Sequence, residues 1–338
     1  MPDARLLATI PTPRQFFVVG PHAGAHRVAL RAGLSVAIPL LALHATGRLD
    51  LSLYATFGAF TSLYGRADGH AARGRMQLSA AAVLVLCVTL GTAIATASAR
   101  DWLVLPVAAL VAAGANLVSD AARWHPPGAL FPIFALAACA AVPADPARVP
   151  LAAAVAAASA LLAVAIGVAG GLRRGRSPVV GRGRGWGSVT PPDAARAAVV
   201  TLVAGAIPTA LGLGHPYWAM VAGLAAIAGP DTTARLVRAG HRAAGTLLGV
   251  ALAAVLLALP LSALGTIAAV VALQCLAELL VGRNYALALI AVTPLALLMV
   301  ELAHPVGSST LLRDRALETL LGAAVGAVVT VLTHAKET

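Results

Sequence analysis

Long apolar stretches alternate along this chain with short clusters of arginine, proline, glycine and aspartate, and each stretch is read as a helix because lipid cannot satisfy exposed backbone groups. They predict spans at 27–46, 49–64, 76–98, 102–119, 128–142 and 149–170. A second set follows at 195–213, 216–229, 241–259, 263–281, 285–302 and 313–333. The stretches at 49–64, 128–142 and 216–229 are short or interrupted by proline and glycine, which leaves ten complete spans as the alternative to twelve.

Composition places the helices in a membrane. Hydrophobic residues make up 59% of the 338, charged residues only 11%, and the mean hydropathy of +0.88 is far above that of soluble domains. At roughly 20 residues per crossing, little chain is left for an aqueous enzyme domain. The net charge of +11 does not point to nucleic acid, because the arginines cluster in the gaps between apolar stretches, where they set topology. With the amino terminus inside, external loops hold Arg48, Arg100, Arg148, Arg313 and Arg315, five of 24 basic residues, and the other 19 fall on the cytoplasmic side. Residues 1–26 then form a cytoplasmic segment without a secretory signal, 27–170 a first membrane repeat, 171–193 a basic cytoplasmic connector, 194–334 a second repeat and 335–338 a cytoplasmic tail. The connector reads as a basic segment lying on anionic lipid, in preference to an RNA-binding stretch. Cys87, Cys139 and Cys275 lie singly within apolar stretches and read as packing residues.

The two halves resemble each other. At an offset of 169, "RVALRAGLSVAIP" at 27–39 falls on "RAAVVTLVAGAIP" at 196–208; at 167, Arg75 meets Arg242 and Arg148 meets Arg315. Six spans per half is an even number, so the copies share one orientation, related by an axis along the membrane normal, with the pathway between them.

Candidate chemistry concentrates in the second half. Arg235, Arg238 and Arg242 share one helix face and form a cationic stripe suited to a carboxylate, or simply anchor the helix at lipid headgroups. Gly245 and Gly249, like Gly322 and Gly326, are four apart and read as close helix contacts. Tyr217 and Trp218 lie at a boundary where either an aromatic belt or a ligand-stacking role fits. Glu278, Glu301 and Glu318 are the carboxylates available for proton coupling, although Glu318 reads first as a partner of Arg315 at three residues' spacing. His44, His215 and His304 fall near the external side, either as pH sensors or as plain interface residues. Asp231 reads as the cap of an internal helix. ATP-binding, metalloprotease and nucleophile-elbow motifs are absent from the sequence, so no cofactor, metal or catalytic residue is expected.

The stretch "HPYWAMVAGLAAIAGPDTTARLVRAGHRAAGTLLGVALAAVL" resembles the core signature of the fusaric acid resistance, or aromatic acid exporter, superfamily. The resemblance rests on Trp218, Arg235, Arg242, Gly245, Thr246 and Gly249, then on Arg315, Glu318, Thr319 and Gly322, with "GRNYALALIAVTPLALLM" before the last helix. It extends to both halves, though Leu78, Ser79 and Ala82 stand in the first half where the second has Gly245, Thr246 and Gly249. The large cytoplasmic domain of bacterial exporters in that superfamily has no counterpart here beyond the connector.

The pattern of spans, charge and repeat predicts an all-α polytopic protein of about 12 transmembrane helices in two parallel six-helix repeats, with both termini cytoplasmic. The resemblance implies a bacterial inner-membrane carrier or channel-like protein for small organic anions, often aromatic carboxylates, and the expectation is export coupled to protons. A passive anion channel and a non-transporting scaffold of an envelope or export complex are the alternatives. The expected substrate-binding set is Arg242, Arg315, Arg238, Arg75, Thr246, Trp218 and Tyr217. Expected partners are the organic anion and lipid, with no nucleic acid, and either a further copy of the chain or an envelope protein.

Overall fold

The computed structural model describes residues 11–22, 24–66, 68–169, 191–303 and 307–334. Nearly all of the connector, together with His304 and the tail, lies outside the described residues. After a single helical turn at Pro13–Phe16, twelve longer helices follow. In the first half these are α1 (Ala25–Ala45), α2 (Ser52–Ala59), α3 (His70–Ile94), α4 (Arg100–Ala122), α5 (Leu130–Ala141) and α6 (Arg148–Ala169). In the second they are α7 (Pro191–Ala210), α8 (Tyr217–Ala226), α9 (Thr232–Ala258), α10 (Ala263–Leu280), α11 (Tyr285–Ala303) and α12 (Ser308–His334). The described residues contain no strand.

Among the described residues nine of these helices are long and apolar enough by themselves to cross a membrane. The exceptions are α2, α5 and α8, the three stretches already marked by proline and glycine. Helix α8 has ten residues, about 15 Å at 1.5 Å per residue, against a hydrocarbon layer of about 30 Å. Helix α2 gains length from 3-10 turns at Leu49–Leu51 and Phe60–Leu63. The physical reason is their position. Every residue of α8 is buried, as is nearly all of α2 and most of α5. A helix enclosed by other helices need not match the bilayer, since its ends meet protein groups and not lipid.

Local signals account for several boundaries. The Asp231 carboxylate accepts from Ala234 N at 2.8 Å and caps α9, and Ser262 caps α10 through Gly265 N. Helices α1 and α7 stop in the same way. Gly47 and Gly212 take positive φ (67° and 69°), and the next residues, Arg48 and Leu213, donate back to Leu43 O and Pro208 O.

Packing partners recur at an interval of six helices. α3 packs on α5 and α6, as α9 does on α11 and α12. α2 packs on α6 as α8 does on α12, and α4 on α7 as α10 on α1. The halves meet across α4–α7, α1–α10, α5–α8 and α2–α11.

Two ends of the bundle can be told apart by the bonds between loops. At the near end Gly65 N donates to His125 O, Arg66 pairs with Glu278, and Gly20 N donates to Arg283 O. At the far end Arg148 pairs with Asp50 at 2.6 Å, Ala144 N donates to Ala95 O, and His215 faces Asp314 at 3.0 Å. The amino-terminal strap docks at the near end, where His241 Nε2–H donates to Phe16 O and Asn284 donates to Phe16 O and Val18 O.

The four paired glycines lie at crossings. A Cβ on Gly245 would come within 2.5 Å of Ala286 O, one on Gly249 within 2.8 Å of Leu289 O and one on Gly326 within 2.8 Å of Gly223 O; one on Gly322 would collide with Ala219 O. All four obstacles are backbone, which cannot rotate away. Gly114 in α4 has no atom within 4 Å of the added position. Gly322→Ala should therefore cost about 1–3 kcal/mol, the range for overpacking. The thermal midpoint of the detergent-solubilised protein should fall accordingly, with Gly114→Ala near the parent value; equal midpoints would show that the α8–α12 contact does not need glycine.

Candidate functional site

A cavity of about 620 Å³ lies between the two halves. Its walls come mainly from the short helices and their ends: α2 and α5 of the first half, and α8, α9, α11 and the start of α12 of the second. The composition of the walls differs sharply by side.

The first half contributes phenylalanines. Phe57 and Phe60 project from α2 and its 3-10 extension, and Phe131 and Phe134 from the first turns of α5. They form an edge-to-face cluster, Phe57 with Phe134 at 5.0 Å and Phe60 with Phe131 at 5.5 Å between centroids. Phe134 carries the aromatic wall across to Trp218 at 5.2 Å and Tyr217 at 6.2 Å.

The second half contributes arginines. Arg315, 1% exposed, lies with its guanidinium carbon 4.0 Å over the Trp218 ring. Arg242, 3% exposed, donates from Nη1 to the Tyr285 hydroxyl at 3.0 Å. Arg238 lies 4.0 Å over the Tyr285 ring and donates from Nε to Ala225 O at 2.9 Å, a carbonyl at the end of α8 that also accepts from Ala228 N. Arg235 donates to Gly229 O in the following turn. Arg73 makes the matching contact in the first half, where its Nε donates to Gly65 O at 3.0 Å and its other nitrogens to Gly167 O and Asp68 O.

Arg66 brings an ion pair to the cavity from the first half. Its two terminal nitrogens donate to Glu278 Oε2 at 2.8 Å and Glu278 O at 2.9 Å. Gln274 donates to the other oxygen at 3.4 Å. Glu278 is thus a paired carboxylate, satisfied from two elements.

At the far end, Asp314 Oδ2 accepts from Gly214 N and faces the His215 ring, while Glu318 Oε1 accepts from His215 N at 2.9 Å. These bonds tie the turn before α8 onto α12. Glu318 does not pair with Arg315, contrary to the first reading of their spacing: Glu318 Oε2 and Arg315 Nε and Nη1 have no hydrogen-bond partner. The turn that holds His215 takes the carboxylate instead.

Of the residues singled out in the sequence, Arg238, Arg242, Arg315, Tyr217, Trp218 and Glu278 line the cavity. Trp218 and Tyr217 are 1% and 4% exposed, so neither forms an aromatic belt. Arg75 is exposed and lies away from the cavity, Thr246 is buried behind its wall, and Glu301 is half-buried outside it. Glu318 is buried one helical turn beyond Arg315. Among the described residues no group of three or more His, Cys, Asp or Glu side chains could hold a metal ion. Sequence reasoning missed Tyr285, Arg66 and the four phenylalanines. The chain has six phenylalanines, and 57/60 and 131/134 repeat one helical spacing, a signal that was available.

Residues 202–329 match the family described as fusaric acid resistance protein-like. The chain is also 32% identical over 148 residues to YvaC, an uncharacterized membrane protein of Bacillus subtilis (strain 168). That alignment covers 44% of this chain and 24% of the relative, so the chain spans about a quarter of the length of the protein it matches. No solved structure matches. The matched residues 202–329 include Trp218, Arg238, Arg242 and Arg315 of the cavity wall.

Because Arg66 and Glu278 join α10 to the loop after α2, Glu278→Ala should destabilise the fold by about 2 kcal/mol, as expected for a charge-assisted bond whose partner is left unpaired. Glu301→Ala, off the cavity, should have a smaller effect. Thermal unfolding of both variants in one detergent checks this ordering.

Proposed function

We propose that this protein is a multi-pass carrier of small organic anions, aromatic carboxylates foremost, in the bacterial cytoplasmic membrane. The observation that carries the reading is the two-sided cavity. Arg242 and Arg315 supply buried positive charge on one wall, and Phe57, Phe60, Phe131 and Phe134 supply an apolar wall opposite. A planar carboxylate anion with a ring fits both, its charge held by guanidinium forks and its body against ring edges. A cavity of this size favours transport over the scaffold reading, which calls for a tightly packed midline.

The recurring packing partners support an arrangement of two six-helix repeats with the cavity on the axis between them. Short helices complete each repeat without crossing the bilayer alone. The near end carries Arg14, Arg27, Arg31, Arg66, Arg73, Arg75, Arg235, Arg238 and Arg283 and is the cytoplasmic face in this proposal, by the excess of positive charge. Substrate enters there, between the arginines at the ends of α8 and α9. At the other end the turn at Gly214–His215, tied to Asp314 and Glu318, forms the outer closure, which supports a carrier over an open channel. Glu318 is the proton site in this scheme: it is fully buried, with one carboxylate oxygen bonded and the other without a partner. Glu278 instead maintains structure through Arg66.

Proteoliposomes loaded with labelled benzoate test this directly. Arg242→Ala should reduce benzoate flux at least about tenfold, the factor for one lost charge-assisted hydrogen bond, while membrane insertion stays intact because the remaining near-end arginines preserve the charge bias. Accumulation above equilibrium that requires an imposed pH gradient and is lost in Glu318→Gln supports proton coupling. Downhill flux alone assigns a channel, and wild-type flux in Arg242→Ala removes the anion-site assignment.

A further inference from the structure

Four buried N–H donors on three residues of the cavity have no hydrogen-bond partner: Trp218 Nε1, Arg242 Nε, and Arg315 Nε and Nη1. Each of the three side chains is at most 3% exposed. Their relative placement is fixed, since Arg315 lies over the Trp218 ring and Arg242 is held by the Tyr285 hydroxyl. Neither guanidinium has a carboxylate within ion-pair distance among the described residues. On the helix of Arg315, Asp314 accepts from Gly214 N and faces the His215 ring, and Glu318 gives one oxygen to His215 N.

Buried guanidinium groups are costly without an opposite charge, and buried N–H groups are costly without an acceptor. An organic carboxylate removes both costs while it is bound. A carrier must also return without that ligand, and the same donors are then left uncompensated. The rest of the chain shows the contrast: Arg73, also buried, has its donors on three backbone carbonyls.

We propose that Trp218, Arg242 and Arg315 form a binding site for a monatomic halide of the chloride class, which occupies the cavity whenever the organic anion is absent. A halide carries one negative charge and accepts several N–H donors without a preferred direction, which suits unpartnered donors that an indole and two guanidinium groups bring to one cavity. The organic carboxylate binds by displacing it, and the return step of transport runs with the halide bound. This exchange rests on the carrier reading above; the halide site itself rests only on the donor geometry.

The test uses bromide, a quencher of indole fluorescence, on the full chain in detergent. Of Trp102, Trp124 and Trp218, the tryptophans among the described residues, only Trp218 lines the cavity, so its quenching should saturate, whereas collisional quenching rises linearly. The saturable component should vanish in Trp218→Phe and be displaced by benzoate. It should weaken at least about tenfold in Arg315→Gln and in Arg242→Gln, with Arg315→Lys between, since it keeps the charge and loses the fork. Strictly linear quenching in the wild type, or a saturable component that either glutamine variant leaves unchanged, overturns the halide site.

A second arm compares benzoate uptake into proteoliposomes filled with chloride or with gluconate. Faster uptake against internal chloride supports exchange, and equal rates overturn it. Saturable bromide binding without benzoate flux under any condition would retain the halide site and remove the carrier reading. Arginine-dependent benzoate flux without bromide binding would do the reverse.

Discussion

The bilayer does not hydrogen-bond backbone groups, and that constraint organises the whole molecule. Helices that face lipid must be long, and nine of them are. Helices enclosed by those nine are released from the requirement, so α2, α5 and α8 end inside the bundle. Their ends leave carbonyl groups that need donors and space that side chains do not fill. Arginine answers the first need: Arg73 reaches Gly65 O, Arg235 reaches Gly229 O and Arg238 reaches Ala225 O. The cavity occupies the second. Charge and cavity thus arise at the same places and for the same reason.

Within that frame, the two halves have taken different parts. In the first half the buried arginine Arg73 is consumed by carbonyl oxygens, and four phenylalanines line the cavity together with Arg66, which is paired with Glu278. In the second half Arg242 and Arg315 keep unpartnered donors, and the wall is cationic. The fusaric acid resistance protein-like match, at 202–329, covers Trp218, Arg242 and Arg315.

Small residues make this architecture possible. The glycines of α9 and α12 let backbones approach until an added methyl would meet a carbonyl oxygen. Such crossings fix where Arg242 and Arg315 lie, because each arginine is within two turns of a glycine on its own helix. Close packing and the cavity arginines thus occupy nearby positions of the same helices, and the far-end turn is tied to α12 through Asp314 and Glu318.

The sequence by itself determined the class of protein, the helix positions and much of the site. Apolar length and arginine placement suffice for these because the cost of polar groups in lipid acts on each segment separately. Arg238, Arg242, Arg315 and Trp218 were legible through the same segmental pattern and the family signature. The sequence also marked 49–64, 128–142 and 216–229 as short or interrupted, but only the tertiary structure decided that these three helices are enclosed. It also decided that Trp218 lies on the cavity and not in a belt, that Glu278 is claimed by Arg66, and that Glu318 turns to His215 and leaves Arg315 unpaired. Each of these depends on a partner far away in the chain. Spacing along a helix can name a neighbour on the same face, but it cannot weigh that neighbour against a competitor brought in by packing.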